Sequence, residues 1–272
     1  MPAVAMWCST FSRQHAPGVG LPSKMIARSW PYAASLLQIR LETLASAALS
    51  PTYPGVIAMR AVLFDLDGTL LDSSTDLAMS ANAVREAMDL PPLAITEVAA
   101  MVGDGLGILL QRLLPAGSDF SQARSIFAQH YDQQCIQYTD FFPGFAALLK
   151  QCHEQHYRLG VVSNKPQRWC HAIVDHLSRK HQLPDDLWQV VIGGDGVRKP
   201  APDPLFQAFE RLQVSPAQAT MVGDHANDIL AGQAAGCRSI YVTWGYATLP
   251  VEVRADVVCE DMAELTKALL HP

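Results

Sequence analysis

The sequence predicts an α/β fold in which a parallel, Rossmann-like sheet forms the core and a helical cap is inserted after the first strand. From residue 60 onward, short apolar runs alternate with amphipathic helical patterns, as expected for parallel strands joined by helices. The alternation stops between residues 75 and 142, where the sequence shows helical patterns only. Polar residues also follow several of the apolar runs, at the strand ends where open parallel sheets bind ligands.

The elements follow in chain order from these patterns. The predicted core strands cover residues 61–64, 159–163, 189–192, 220–223, 238–243 and 256–259. The core helices between them cover 145–156, 167–178, 203–212, 227–235 and 262–270, and Gly236 is a candidate helix C-cap. The cap helices cover 76–88, 96–102, 106–114 and 121–138. We therefore expect a catalytic core formed by residues 59–74 and 143–272 and a helical cap formed by residues 75–142.

Residues 1–58 differ from the rest of the chain and are predicted to be an extension that is poorly ordered or outside the fold. They contain four basic residues and one acidic residue, and they are rich in Ala, Ser and Pro. A transit peptide has this composition. A translated region upstream of a true start at Met59 has it too, and we favour this second interpretation slightly. Neither interpretation gives the segment a role in catalysis.

Composition excludes several classes of function. The chain of 272 residues has a net charge of -6, which does not suggest a nucleic-acid partner. No run approaches the roughly 18 apolar residues that a membrane span requires. The six cysteines lack CxxC spacing and the nine histidines do not line one helix face, so neither set predicts a zinc site. We expect a cytoplasmic protein that is a monomer or a homodimer.

The most informative motif is Asp65-Leu66-Asp67-Gly68-Thr69, directly after the apolar run 61–64. In an extended chain, residues i and i+2 point to the same side, so Asp65 and Asp67 are expected to face one pocket. Two carboxylates that close repel each other unless a cation lies between them or one stays protonated. The motif therefore predicts a chemical role rather than a packing role.

Three further strand ends carry polar residues. Ser163 and Asn164 follow one strand, Lys199 lies in the loop after the next, and Asp224 follows a third, with Asp228 one helical turn beyond. The carboxyl ends of parallel strands share one edge of the sheet, so these groups are expected to converge. Together they would supply a nucleophile, a hydroxyl, a cation and carboxylates.

Taken together, these motifs resemble those of the haloacid dehalogenase superfamily, in the same order and over residues of about 60 to 270. The stretches 163–166, 198–204 and 244–246 are similar to those of bacterial phosphoglycolate phosphatases. The resemblance implies a magnesium-dependent phosphatase that works through an aspartyl-phosphate, with 2-phosphoglycolate as the expected substrate. The departure is His225, where the superfamily usually has a small hydroxyl residue, and this residue leaves the fine specificity open.

The reaction assigns a role to each group. Asp65 is expected to attack phosphorus, while Asp67 protonates the departing alkoxide and later activates water. Lys199 would neutralise the phosphoryl oxygens. The expected hydrogen-bond donors to those oxygens are Ser163, Asn164 and Thr69.

The expected metal is Mg²⁺, which takes oxygen ligands. We expect those ligands from Asp65, Asp224 and the backbone carbonyl of Asp67, with Asp228 holding Asp224 or a metal-bound water. Asp195 either approaches the metal or shapes its loop.

Several alternatives remain open. The turn formed by Gly103, Asp104 and Gly105 either binds a substrate carboxylate or simply connects two cap helices. A sugar-phosphate phosphatase, for example one for N-acetylmuramic acid 6-phosphate, is the main alternative, and a phosphosugar mutase is a weaker one. A dehalogenase would need only the first aspartate, so Asp67 argues against this class. A phospho-accepting signalling receiver carries its acidic pair on a different strand and lacks a cap, so the paired Asp65 and Asp67 disfavour it.

Overall fold

The computed structural model of the protein describes residues 60–271. Its strands are β1 (Ala61–Phe64), β2 (Leu71–Asp72), β3 (Asp140–Phe141), β4 (Arg158–Val162), β5 (Trp188–Ile192), β6 (Ala219–Gly223), β7 (Arg238–Val242) and β8 (Val257–Cys259). Six of them form one sheet in the order β5-β4-β1-β6-β7-β8, and every neighbouring pair is parallel. The predicted α/β fold with a parallel core sheet is confirmed.

Strand β1 lies at the centre of this sheet, between β4 and β6. Its four residues are all buried, with Val62 and Phe64 in one hydrophobic cluster and Ala61 and Leu63 in the other. Burial on both faces explains why the strand reads as a continuous apolar run instead of an alternating one. Asp65, the residue that follows, is therefore anchored by a buried strand between β4 and β6.

Helices cover both faces of the sheet. The core helices are α5 (Phe145–Glu154), α6 (Gln167–Lys180), α7 (Asp203–Leu212), α8 (Ala226–Ala235) and α9 (Met262–Leu270). Leu148 of α5, Trp169 of α6 and Leu265 of α9 belong to the same cluster as Phe64. Leu205 of α7 joins the opposite cluster, together with α8. The core is thus a doubly wound α/β layer structure.

The inserted cap consists of α1 (Ser74–Glu86), α2 (Ile95–Ala99), α3 (Leu106–Leu113) and α4 (Phe120–Gln134). The prediction that residues 75–142 hold helices only was wrong at the end of this segment, because β2 and β3 form an antiparallel pair at its base. Strands of two residues have no periodicity that a sequence pattern can show. The carboxylate of Asp76, in α1, accepts hydrogen bonds from the backbone of Tyr138 and Thr139. It therefore joins the two ends of the insert.

Most predicted boundaries agree with the structure to within one or two residues. The exceptions are α2 and α4, which end at Ala99 and Gln134 instead of residues 102 and 138. Gly236 has a positive φ of 76° and ends α8, as predicted. Within residues 60–271, the five cysteines are free and buried, and no helix is long and apolar enough to cross a membrane. The predictions for residues 1–58, including a true start at Met59, concern residues outside those that the structure describes.

Candidate active site

The predicted strand-end residues lie together at the carboxyl edge of the sheet. Asp65, Ser163 and Asp224 directly follow β1, β4 and β6, the three central neighbours of the sheet. The backbone N–H of Asp65 donates to the Val222 carbonyl over 3.0 Å, which extends the β1–β6 pairing by one residue. This bond fixes Asp65 beside the strand that carries Asp224. The arrangement places the groups where an open parallel sheet binds ligands.

The Asp65 carboxylate has an unsatisfied oxygen. The side chain is buried, and its Oδ1 atom lies 3.1 Å from Nζ of Lys199. That contact has the distance of an ion pair but not the angles of a hydrogen bond, and Oδ1 has no hydrogen-bond partner among residues 60–271. A buried polar atom without a partner is uncommon and calls for an explanation. A ligand or cation at this oxygen would supply one.

Lys199 is buried and surrounded by oxygen atoms. Its ammonium donates to Asp228 Oδ1 over 2.6 Å and to the Val162 carbonyl over 2.5 Å. Burial lowers the pKa of Lys199, but the charges of Asp228 and Asp65 outweigh burial and raise the pKa above its usual value. The lysine therefore remains a cation at neutral pH, directly beside the Asp65 carboxylate.

Asp65, Asp224 and Asp228 form a buried acidic triad, in which one oxygen from each lies within 4.8 Å of the others. Burial, followed by the charges of Asp228 and Asp65, raises the pKa of Asp224 to about 7. Burial also raises the pKa of Asp228, although Lys199 opposes this shift. Three carboxylates facing one lysine leave an excess of negative charge that a cation would relieve. The all-oxygen donor set suits Mg²⁺.

The Asp224 carboxylate is held in a close-fitting cradle. It accepts a hydrogen bond from Thr69 Oγ1 over 2.7 Å and another from the Tyr246 backbone N–H over 2.8 Å. Gly68, which has φ of +85°, and Gly245 both approach so closely that a Cβ atom at either position would collide with Asp224. The position of this carboxylate is therefore fixed before any ligand binds. Thr69 uses its hydroxyl for Asp224, and its predicted contact with phosphate stays a prediction.

Asp67 is held by two neighbours, neither of which was assigned a role from the sequence. Both of its carboxylate oxygens lie 2.8 Å from Lys165 Nζ, and Ser73 Oγ donates to Oδ1 over 2.6 Å. Lys165 lies in the stretch 163–166, but the sequence alone assigned it no role of its own. The available signal was its spacing of two residues from Ser163, which in an extended chain places both on one side.

Asn164 joins the cap to the core. Its side-chain amide donates to the Gly103 carbonyl and to the Lys199 carbonyl, each over 2.9 Å, and its Oδ1 accepts the Lys199 backbone N–H. Both side-chain N–H groups are therefore used inside the protein. Ser163 Oγ is buried and accepts a weak hydrogen bond of 3.3 Å from the Lys165 backbone. The predicted phosphate contacts of Ser163 and Asn164 stay predictions.

The turn at Gly103, Asp104 and Gly105 lies against the core. Asn227 Nδ2 donates to Asp104 Oδ1 over 2.7 Å, and a Cβ atom on Gly103 would collide with the His225 ring. The turn also lines the pocket that contains Asp65. Asp195 accepts the backbone N–H of Gln167 over 3.2 Å and is not a member of the acidic triad. This hydrogen bond is consistent with the expectation that Asp195 shapes its loop, and its approach to the metal stays a prediction.

The class of this protein follows from its site together with the proteins that it resembles: the carboxylate-rich site at this edge of a parallel sheet, the family model and the phosphatase relatives identify a phosphoric monoester hydrolase. Residues 62–242 match the family model described as haloacid dehalogenase-like hydrolase, and the chain belongs to that family.

Relatives and solved structures agree with this assignment. The chain is 34% identical over 216 residues to the phosphoglycolate phosphatase of Chromobacterium violaceum, a match that covers 76% of this chain and 95% of the relative. It is 35% identical over 225 residues to the enzyme of that name from Vibrio vulnificus, with coverages of 78% and 96%. The crystal structure of a predicted phosphoglycolate phosphatase from Haemophilus somnus superposes with a TM-score of 0.71 at 28% identity, and the match covers 79% of this chain and 99% of that one.

Proposed function

We propose that this protein is a magnesium-dependent phosphatase that hydrolyses 2-phosphoglycolate to glycolate and phosphate through an aspartyl-phosphate on Asp65. The relatives named phosphoglycolate phosphatase support the choice of substrate. The observation that carries the mechanism is Oδ1 of Asp65, which has an ion pair of 3.1 Å with Lys199 Nζ but no hydrogen-bond partner among residues 60–271, and which belongs to the acidic triad. A free carboxylate oxygen beside a fixed cation suits attack on a phosphoryl group.

The reaction then proceeds in two steps on the residues of this chain. Asp65 attacks phosphorus and displaces the glycolate oxygen, and Lys199 neutralises the charge that spreads over the phosphoryl oxygens. Asp67 delivers a proton to the departing oxygen and then accepts one from the water that hydrolyses the aspartyl-phosphate. Ser73 and Lys165 hold the Asp67 carboxylate in position for both transfers.

The residues present fit a Mg²⁺ ion. Asp65 and Asp224 would hold it together with the backbone carbonyl of Asp67, and Asp228 is close enough to contribute directly or through a water. When bound, the ion supplies charge neutralisation of the phosphoryl oxygens. Gly68 and Gly245 support this proposal, because they pack closely against Asp224 and hold its carboxylate in one position.

A panel of metabolite phosphates, ranked by kcat/KM with Mg²⁺, tests the substrate. It includes 2-phosphoglycolate, N-acetylmuramic acid 6-phosphate and hexose phosphates, and it follows both inorganic phosphate and isomerised product. We expect 2-phosphoglycolate to rank first and inorganic phosphate to be the product. Preference for a sugar phosphate, or isomerisation without release of phosphate, contradicts the proposal.

The covalent step has its own test. Asp65→Asn keeps the shape of the side chain but removes the attacking charge, so we expect neither turnover nor a hydroxylamine-sensitive phosphoenzyme. Asp185→Asn, at an exposed aspartate away from the pocket, is the matched control and should retain both. Substantial turnover by Asp65→Asn would indicate direct attack by water.

A further inference from the structure

A lysine other than Lys199 lines the pocket that contains Asp65. Among the described residues that line the pocket, Lys165 is the only lysine or arginine. Its side chain is 3% exposed, and its ammonium lies over the Tyr131 ring at 4.7 Å from the centroid. A lysine that is shielded from water in this way interacts strongly with any charge that enters the pocket.

One N–H donor of the Lys165 ammonium group is not used by Asp67. Lysine carries three N–H donors, and the two hydrogen bonds of 2.8 Å to Asp67 use two of them. Packing against the Tyr131 ring satisfies the charge only in part. The third donor can bind an oxygen of the substrate without breaking the pair with Asp67.

The remaining wall of the pocket offers a substrate few polar contacts. Six apolar side chains form this wall: Leu77, Val102, Leu106, Leu109, Phe127 and Trp169. Hydroxyl groups placed against such a wall lose their hydrogen bonds to water without replacement, which is costly. A carboxylate there would cost even more, unless it reached Lys165. The wall therefore disfavours sugars, and the lysine favours a single anionic group.

We infer that Lys165 is a specificity-determining residue that binds the carboxylate of a substrate whose phosphate is carried on the adjacent carbon. The inference rests on the proposed function and deepens it. In such an ester, the carboxylate oxygens lie about 3 Å from the leaving oxygen, by ordinary bond lengths. This separation is close to the 2.8 Å between Lys165 Nζ and Asp67 Oδ1, the two protein atoms that the substrate oxygens would contact. The leaving oxygen can therefore contact Asp67 while the carboxylate contacts Lys165.

Matched substrates separate this role from the effect of Lys165 on Asp67. Ethyl phosphate has a methyl group where 2-phosphoglycolate has its carboxylate. In 3-phosphopropionate, the phosphate ester of 3-hydroxypropionate, the carboxylate is one carbon further away. Any general damage to Asp67 lowers turnover of all three esters, so it cancels in the ratio of their kcat/KM values. We therefore measure that ratio for wild type, Lys165→Met and Lys165→Arg, with Lys267→Met on the exposed surface as the control.

We expect Lys165→Met to lower the ratio of 2-phosphoglycolate to ethyl phosphate by about ten- to a hundredfold, as for loss of a charged hydrogen bond. The ratio to 3-phosphopropionate should fall as well. Lys165→Arg should retain part of the preference, and Lys267→Met all of it. An unchanged ratio in Lys165→Met would overturn the inference, because Lys165 would then act on Asp67 alone. The proposed function fails separately, if wild type prefers a sugar phosphate in the metabolite panel.

Discussion

Asn164 donates a hydrogen bond of 2.9 Å to the carbonyl of Gly103, which makes a core residue the anchor of the cap turn. The same side chain holds the backbone of Lys199 through two more hydrogen bonds. The position of the cap and the position of Lys199 are therefore linked through one amide. A cap that closes over an active site excludes water and completes the set of catalytic groups.

This relationship predicts that Asn164→Ala reduces kcat/KM by about ten- to a hundredfold, because contacts to both Gly103 and Lys199 are lost. Asn82→Ala is the matched control. Asn82 makes a similar pair of hydrogen bonds, to the backbone of Leu93 within the cap, and is not among the residues that line the pocket. We expect the control to lower the melting temperature but to keep kcat/KM. Equal kinetic losses in both variants would show that Asn164 acts only through stability.

Asp67→Asn tests the proton-transfer role. The amide keeps the size of the side chain but can neither deliver nor accept the proton that an alkoxide leaving group requires. We expect a much larger loss of kcat for 2-phosphoglycolate than for p-nitrophenyl phosphate, whose leaving group needs no proton. Measuring both esters on both enzymes gives the comparison. Equal losses would contradict the acid role of Asp67.

Replacing Asp224 and Asp228 by alanine compares the two carboxylates as metal ligands. Asp224→Ala removes a carboxylate from the proposed metal site and should raise the Mg²⁺ concentration required for half-maximal activity steeply. Asp228→Ala should raise it less, although it also removes a partner of Lys199. Mg²⁺ activation curves for both variants and wild type provide the measurement. If Asp228→Ala is the weaker Mg²⁺ binder, Asp228 is the direct ligand and Asp224 the supporting one.

The sequence predicted the arrangement of the site better than its individual contacts. Asp65, Ser163 and Asp224 were found because parallel strands share an edge, so residues that follow adjacent strands must lie together. Asp228 was expected to support the site from one helical turn away, and one of its carboxylate oxygens lies within 4.8 Å of one from Asp65 and one from Asp224. Its position depends on the first turn of α8, which the spacing of residues does not fix.

Contacts between distant segments could not be predicted. Asn164 reaches Gly103 across 61 positions of sequence, and Lys165 reaches Asp67 across 98. Both depend on how the cap and the loops pack, and that information is absent from local periodicity. The β2–β3 pair was missed for a similar reason, because its residues pair across the whole insert.

The raised pKa of Asp224 predicts a pH-dependent effect of Mg²⁺ on stability. Burial and the neighbouring carboxylates raise this pKa from 3.8 to about 7, so the folded state holds a proton that the unfolded state has lost. The stability from this group is complete below pH 3.8 and is lost as pH rises through about 7. Without metal, the free energy of unfolding should therefore decrease across this window.

Mg²⁺ should reverse this loss, because it binds the ionised carboxylate and stabilises the folded state by mass action. We expect saturating Mg²⁺ to raise the melting temperature more at pH 8 than at pH 6, where proton release opposes binding. Asp224→Asn removes the titrating group, and the Mg²⁺ effect should become smaller and depend less on pH. Thermal unfolding of both proteins, with Mg²⁺ and with EDTA, provides the measurement. An effect of Mg²⁺ that is larger at pH 6 than at pH 8 would show that Asp224 is not the carboxylate that exchanges its proton for the metal.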